Sequence, residues 1–164
     1  MSEMTSRRMV LASAGTGAAL LAAFAGKAEA ASMSAEEKAN VAVVNGFLKA
    51  GENKDDAGSM QYLAEDCAYR FTETAPVDKG HAAILKRLAS FTGEAEKVEL
   101  KVLRTYVAGP IVINHRVDKF TSKTKPLLFE GVGVFFVKNG KIKEWTDYTI
   151  RAVLANEWPK PAKT

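Results

Sequence analysis

Cysteine is nearly absent. Cys67 stands alone in 164 residues, so the chain cannot close a disulfide on itself and takes its stability from packing. Asp66-Cys67-Ala68-Tyr69 reads as the start of a strand, where a lone cysteine serves as a small buried apolar residue, and no adjacent base marks it as a nucleophile. Histidine is almost as scarce. His81 and His115 are far apart and belong to no Cys/His cluster, which argues against a dedicated metal site. His81 follows Gly80 at a helix start and suits a surface or capping role. There is no phosphate-binding loop, because Gly131-Val132-Gly133 lies inside a strand pattern and opens no helix. With no cofactor motif in the chain, no cofactor is expected. A dominant charge is missing too: 23 basic against 19 acidic residues leave a formal +4, and the lysines are scattered rather than interleaved with aromatics. That distribution argues against nucleic acid as a partner.

Long apolar runs are confined to the beginning of the chain. Ser6-Arg7-Arg8-Met9 precedes a stretch from Val10 to Ala25 broken only by Ser13, Gly15, Thr16 and Gly17, and Ala28-Glu29-Ala30 offers small residues for cleavage. The run is shorter than the roughly 20 residues of a spanning helix. Paired arginines before a Gly- and Ala-rich segment resemble the twin-arginine class of export signals. The resemblance implies that residues 1–30 are removed, that the protein acts in the periplasm, and that no membrane association remains after cleavage. The remaining chain is long enough for one domain with a core, expected over residues 34–152, and a loose tail over 153–164 around Trp158-Pro159-Lys160-Pro161.

Ser34-Ala35-Glu36-Glu37 is a capping-box signature that starts a helix carrying Val41, Val44, Phe47 and Leu48 at helical spacing and ending at Gly51. Asp55 to Leu63 predicts a short second helix, and Cys67 to Thr72 a strand with Tyr69 and Phe71 on one face. Pro76 and Gly80 mark a loop, and His81 to Phe91 a third helix stopped by Gly93. The period then turns from helical to alternating. Val98, Leu100 and Val102 alternate with charged residues, Gly109-Pro110 turns the chain into Ile111 to Phe120, and Leu127 to Val137 comes after a turn at Ser122 to Pro126. Asn139-Gly140 is a strong hairpin signal leading into Lys141 to Arg151. Helices first and strands afterwards predict an α+β fold, with the helices on one face of a curved antiparallel sheet that encloses a pocket. Gly131 and Gly133, alternating with Val132 and Val134, permit bending or the close approach of another group.

Arg116 and Asp118 are two apart on a strand and share a face, and Asp147 shares a face with Trp145 on the last strand. If those faces meet, two carboxylates flank one guanidinium, and mutual repulsion with burial drives their proton affinities apart, as metal-free acid–base catalysis requires. An exposed ion pair of little consequence has the same spacing.

The order of helices, Tyr-bearing strand, Gly-started helix, Arg-x-Asp strand and terminal Trp-x-Asp-Tyr strand resembles the limonene-1,2-epoxide hydrolase family, within the nuclear-transport-factor-2-like (SnoaL-like) superfamily of cone-shaped α+β folds. The likeness covers roughly residues 36 to 151. It is carried most specifically by His115-Arg116-Val117-Asp118, by Gly131 to Lys141, and by Ile142-Lys143-Glu144-Trp145-Thr146-Asp147-Tyr148. It implies three helices on a strongly curved, mostly antiparallel sheet and one-step epoxide opening without a covalent intermediate. Asp118 would be the general acid, Asp147 the general base, Arg116 the bridge between them, and Tyr69 a residue that helps position the water. Phe71, Val132, Val134 and Trp145 would line the space for a small apolar substrate. Phe120, Phe129, Phe135 and Phe136 would serve as core and wall, and exposed strand residues as the face of a homodimer. At Phe71 the family has an asparagine that also holds the water, and phenylalanine can neither donate nor accept there. The same fold is compatible with isomerase or polyketide-cyclase chemistry, and with a non-catalytic ligand-binding module, which Phe71 favours.

Overall fold

The computed structural model describes residues 32–154 apart from residue 125. The predicted leader and most of the predicted tail, Trp158 included, lie outside the described residues. Three helices occur among the described residues: α1 (Ala35–Glu52), α2 (Asp56–Met60) and α3 (His81–Thr92). The strands are β1 (Leu63–Arg70), β2 (Val77–Lys79), β3 (Lys97–Ala108), β4 (Ile111–Thr121), β5 (Leu127–Lys138) and β6 (Lys141–Leu154). They form one mixed sheet in the order β2-β1-β6-β5-β4-β3. Among the described residues only the β1–β6 pairing is parallel, joining β1 to β6 across the chain. The resulting α+β architecture agrees with the helices-then-strands pattern of the sequence.

Local chemistry accounts for the elements. The Ser34 side chain accepts from the Glu37 backbone N–H at 3.1 Å, while Glu37 accepts from the Ser34 N–H at 2.8 Å. This reciprocal cap satisfies donors that the first helical turn leaves unpaired. The other Glu37 oxygen accepts from Gly109 N–H at 3.1 Å, and Asn40 Nδ2 donates to the Gly109 carbonyl at 3.0 Å. One helix end therefore grips the β3–β4 turn. At the other end, Glu52 accepts from the Leu100 N–H of β3 at 3.0 Å. The β5–β6 hairpin turns at Asn139 and Gly140, with φ of 53° and 70°, as a tight turn with two left-handed residues demands.

The core lies where α1 and α3 meet the inner face of the sheet, around Val44, Phe47, Leu63, Ile84, Phe135, Ile142 and Trp145. Cys67 is fully buried within it, and burial pushes its thiol up to about 12, which suits the packing role read from the sequence. A smaller cluster of Ala95, Val98 and Phe120, joined by Phe91, Leu100 and Phe129, sits beside it. Three differences from the sequence reading concern boundaries. β1 begins at Leu63, β2 forms inside the predicted Pro76–Gly80 loop, and β6 runs to Leu154. β2 exists because Val77, Asp78 and Lys79 pair with Arg70, Tyr69 and Ala68, a tertiary contact with no local signature.

Candidate active site

Alternation along β4 puts Asn114, Arg116 and Asp118 on the inner face, and Asn114 and Arg116 are only 1% and 5% exposed. Asp147 reaches the same face from β6, so a single side chain must cross β5 to link the two strands. Arg116 does so. Its Nε donates to both Asp118 oxygens at 3.0 Å, Nη1 to Asn114 Oδ1 at 2.9 Å, and Nη2 to Asp147 Oδ1 at 2.7 Å. Adjacent strands are about 5 Å apart, so this bridge covers about 10 Å.

The bridge requires glycine in the strand beneath it. Gly131 is the register partner of Arg116, and Gly133 is the partner of both Asn114 and Asp147. A Cβ on Gly133 would lie 2.3 Å from Arg116 Nη1 and 3.0 Å from Asn114 Oδ1, and one on Gly131 would lie 2.8 Å from the Tyr148 carbonyl. The close approach that these glycines permit on sequence grounds is that of the guanidinium and of the neighbouring β6 backbone.

Asp147 is surrounded by donors. Besides Arg116, Trp145 Nε1 donates to its Oδ1 at 2.9 Å, and the Tyr69 hydroxyl donates to its Oδ2 at 3.2 Å. Tyr69 and Trp145 are register partners across the parallel β1–β6 pair, and their rings stack at 3.8 Å. Asp118 has no donor other than Arg116 Nε among the bonds described. Burial raises its pKa first, the Arg116 charge opposes that, and the Asp147 charge adds to it, leaving the carboxyl at about 6. Burial alone would lower the pKa of Arg116, but the two carboxylates, Asp147 foremost, raise it overall and hold the cation. Burial and then Asp147 raise that of Tyr69 well above its ordinary value, so its hydroxyl remains a donor.

A cavity of about 100 Å³ opens beside these groups. Its lining includes Tyr69, Arg116, Asp118, Trp145 and Asp147 on one side and Phe71, Leu88, Phe91, Phe120 and Phe129 on the other. The structure thus brings together Arg116, Asp118, Asp147, Tyr69, Phe71 and Trp145. The dispersal over solvent-facing strands that a non-catalytic module would favour is not what the chain shows. Val132 and Val134 are a correction: they do not line this cavity. They alternate with Gly131 and Gly133, so the glycines occupy the inner face and the valines the outer one, opposite His115 and Ile113. Phe136 lies on that outer face for the same reason. His115 also points away from Arg116, as its position in the strand predicts, and contacts Glu130 at 3.0 Å. His81 Nε2 lies 3.4 Å from the Leu63 carbonyl, outside the site. Among the described residues no group of three His, Cys, Asp or Glu gathers as a metal ion would need.

Asn114 joins the site without being marked by the sequence pattern. A signal is present in its spacing, since positions 114, 116 and 118 share one face of a strand, but an amide between Ile113 and His115 reads as an ordinary polar residue. Its Nδ2 is buried without a partner, while its Oδ1 fixes Arg116. An unpaired buried amide N–H costs about 1–3 kcal/mol, so the position is a poor choice for stability alone.

The family model described as the limonene-1,2-epoxide hydrolase catalytic domain matches residues 38–160. Among solved structures, an LEH-like epoxide hydrolase of M. tuberculosis is 26% identical, with a TM-score of 0.62 over 70% of this chain and 84% of that one. A putative polyketide cyclase from Xanthomonas campestris pv. campestris is 19% identical, with a TM-score of 0.61 over 70% and 92%. A putative SnoaL-like polyketide cyclase from a Jannaschia species is 14% identical, with a TM-score of 0.64 over 73% and 90%. The two cyclases share the fold; their identity is too low to speak to chemistry. No curated protein gives a significant match.

Proposed function

Because the chain belongs to the limonene-1,2-epoxide hydrolase catalytic-domain family, we propose that it adds water to a small apolar epoxide in one step. The observation that carries this reading is the buried guanidinium bonded to two carboxylates at the edge of an apolar cavity, with one of them, Asp118, raised to about 6. Asp147, oriented by three donors, suits the base that takes the water proton, and Asp118, with its raised pKa, suits the acid. Water oxygen bonds to a ring carbon as its proton passes to Asp147. The ring C–O bond breaks, and the departing oxygen takes the proton of Asp118, giving a diol. Proton return from Asp147 to Asp118 through solvent restores the site. Arg116 keeps the two carboxylates in opposite states, and the Tyr69 hydroxyl, 3.2 Å from Asp147, helps hold the water. The apolar wall limits competing water.

In solvent enriched in heavy oxygen, the diol is expected to gain one labelled oxygen per turnover. The rate should be high where Asp118 keeps its proton and fall as pH rises through about 6, because the acid is then lost. A rate that climbs through that range would reject Asp118 as the acid. A second reading uses the same groups. An apolar ring in place of a water-holding amide suits isomerase or cyclase chemistry, with Asp147 as base and Tyr69 donating to an enolate. Product of unchanged formula without label would decide for it.

The paired arginines, the apolar run and Ala28-Glu29-Ala30 support export by the twin-arginine route and activity in the periplasm. Association as a homodimer is part of the same proposal. Tyr106 and Tyr148, 56% and 47% exposed, flank Ile113, Val132 and Val134 in the ladder of the outer sheet face. Light scattering should give twice the chain mass, and Tyr106→Lys should reduce it to one; a monomeric wild-type protein would reject the pairing.

A further inference from the structure

We propose that the cavity seats a single aromatic ring, so that the molecule acted on is a small aryl-substituted compound whose reacting group faces Arg116, Asp118 and Asp147. This rests on the proposed epoxide opening only for the identity of the reacting group. The ring site itself is argued from the opposite wall.

That wall is made by phenylalanines from four separate places: Phe71 just after β1, Phe91 of α3, Phe120 of β4 and Phe129 of β5. Phe129 meets Phe71, Phe91 and Phe120 at 89°, 88° and 77°, with centroids 6.3, 5.9 and 6.0 Å apart. Phe71 and Phe91 lie 4.7 Å apart at 31°. These are the edge-to-face and offset arrangements that the aromatic quadrupole prefers, and another ring in the cavity extends the same packing. A saturated ring of equal size gains dispersion there but not the quadrupole contacts.

Exposure differs along the lining. Phe47 and Phe120 border the cavity at 4% and 8% exposed, whereas Phe71, Phe91 and Phe129 remain half-buried. Their accessible edges are offered to whatever enters. Size narrows the class further. An apolar cavity of about 150 Å³ holds one benzene. The enclosed space here, about 100 Å³ and open at one side, is smaller than that, so it seats at most one ring, with part of the ligand in the opening, and excludes fused rings. Arg116, Asp118 and Asp147 line the cavity together with the four rings, none of which can hydrogen-bond, so the reacting group turns toward the trio and the ring toward the phenylalanines.

The test uses the full chain and two matched pairs: phenyloxirane against cyclohexyloxirane for turnover, and 1-phenylethane-1,2-diol against its cyclohexyl counterpart for binding by calorimetry. The phenyl diol should bind about tenfold more tightly, the effect of two or three added ring contacts. Phe129→Leu should bring the two affinities within about twofold, with its melting temperature recorded to show that it folds. Equal affinities in the wild-type protein, tighter binding of the cyclohexyl diol, or no binding of either would overturn the ring site. Turnover of both oxiranes at equal kcat/KM would overturn it while leaving the hydrolase reading intact. Preferential phenyl binding with neither oxirane opened would do the reverse.

Discussion

Asp147→Asn should reduce turnover by about 10²–10⁴-fold, the usual contribution of a positioned general base, while leaving the fold in place. The site can accept the amide. Its oxygen can keep the bonds from Arg116 Nη2 and Trp145 Nε1, now 2.7 and 2.9 Å, and its N–H can donate to the Tyr69 hydroxyl, which accepts as readily as it donates. The change therefore removes proton-accepting capacity and one negative charge, and little packing. It carries a second signature. The Asp147 charge helps raise the pKa of Asp118, so without it the acid should titrate below its present value of about 6 and residual activity should fade at lower pH. Steady-state kinetics across pH, beside a melting curve, measure both effects. Wild-type turnover by a folded Asp147→Asn protein would remove the acid–base reading of the site.

Arg116→Met should act on the fold itself. The guanidinium is buried and is bonded to both carboxylates, whose side chains are 16% and 13% exposed. Removing it leaves two buried carboxylates near each other with no cation between them, a loss of about 3–5 kcal/mol for a broken buried ion pair. Stability then depends on pH in a definite direction. With the cation gone, the folded-state pKa of Asp118 rises further above its unfolded value, so the folded state binds more protons. Stability is retained at low pH and lost as pH rises through the folded pKa. Denaturant unfolding of Arg116→Met at acid and neutral pH should show this slope, and adding Asp118→Asn should recover part of the loss. Unfolding at the wild-type midpoint at neutral pH would show that the trio contributes no structural constraint.

Much of this is legible in the chain because its causes are local. The Ser34 and Glu37 side chains cap α1 through a four-residue pattern, Asn139-Gly140 fixes a hairpin through backbone dihedrals, and Arg116 and Asp118 share a face because strands alternate. Val132 and Val134 mislead for a related reason. In a strand of alternating glycine and valine, the apolar residues suggest the pocket face. Here the face that needs no side chain is the one that borders the cavity, because an arginine lies across it. Neither β2 nor the parallel β1–β6 pairing has a local signature. Both depend on contacts between distant segments, and the position of Tyr69 over Trp145 depends on them as well. Asn114 is silent in the sequence because its importance comes from one partner, Arg116, which alternation places beside it and which its own residue type does not announce.

The parallel pairing of β1 with β6 also has a kinetic consequence. Tyr69 and Asp147, joined by a hydrogen bond, are 78 positions apart in the chain, whereas Arg116 and Asp118 are two apart. Loop closure over such a span is slow compared with hairpin formation. During folding Asp118 and Arg116 can meet early, on β4 alone. Asp147 and Trp145 reach Tyr69 only when the last strand docks between β1 and β5. A chain stopped before β6 holds Tyr69, Arg116 and Asp118 but lacks Trp145 and Asp147, so the arrangement forms only once β6 has docked.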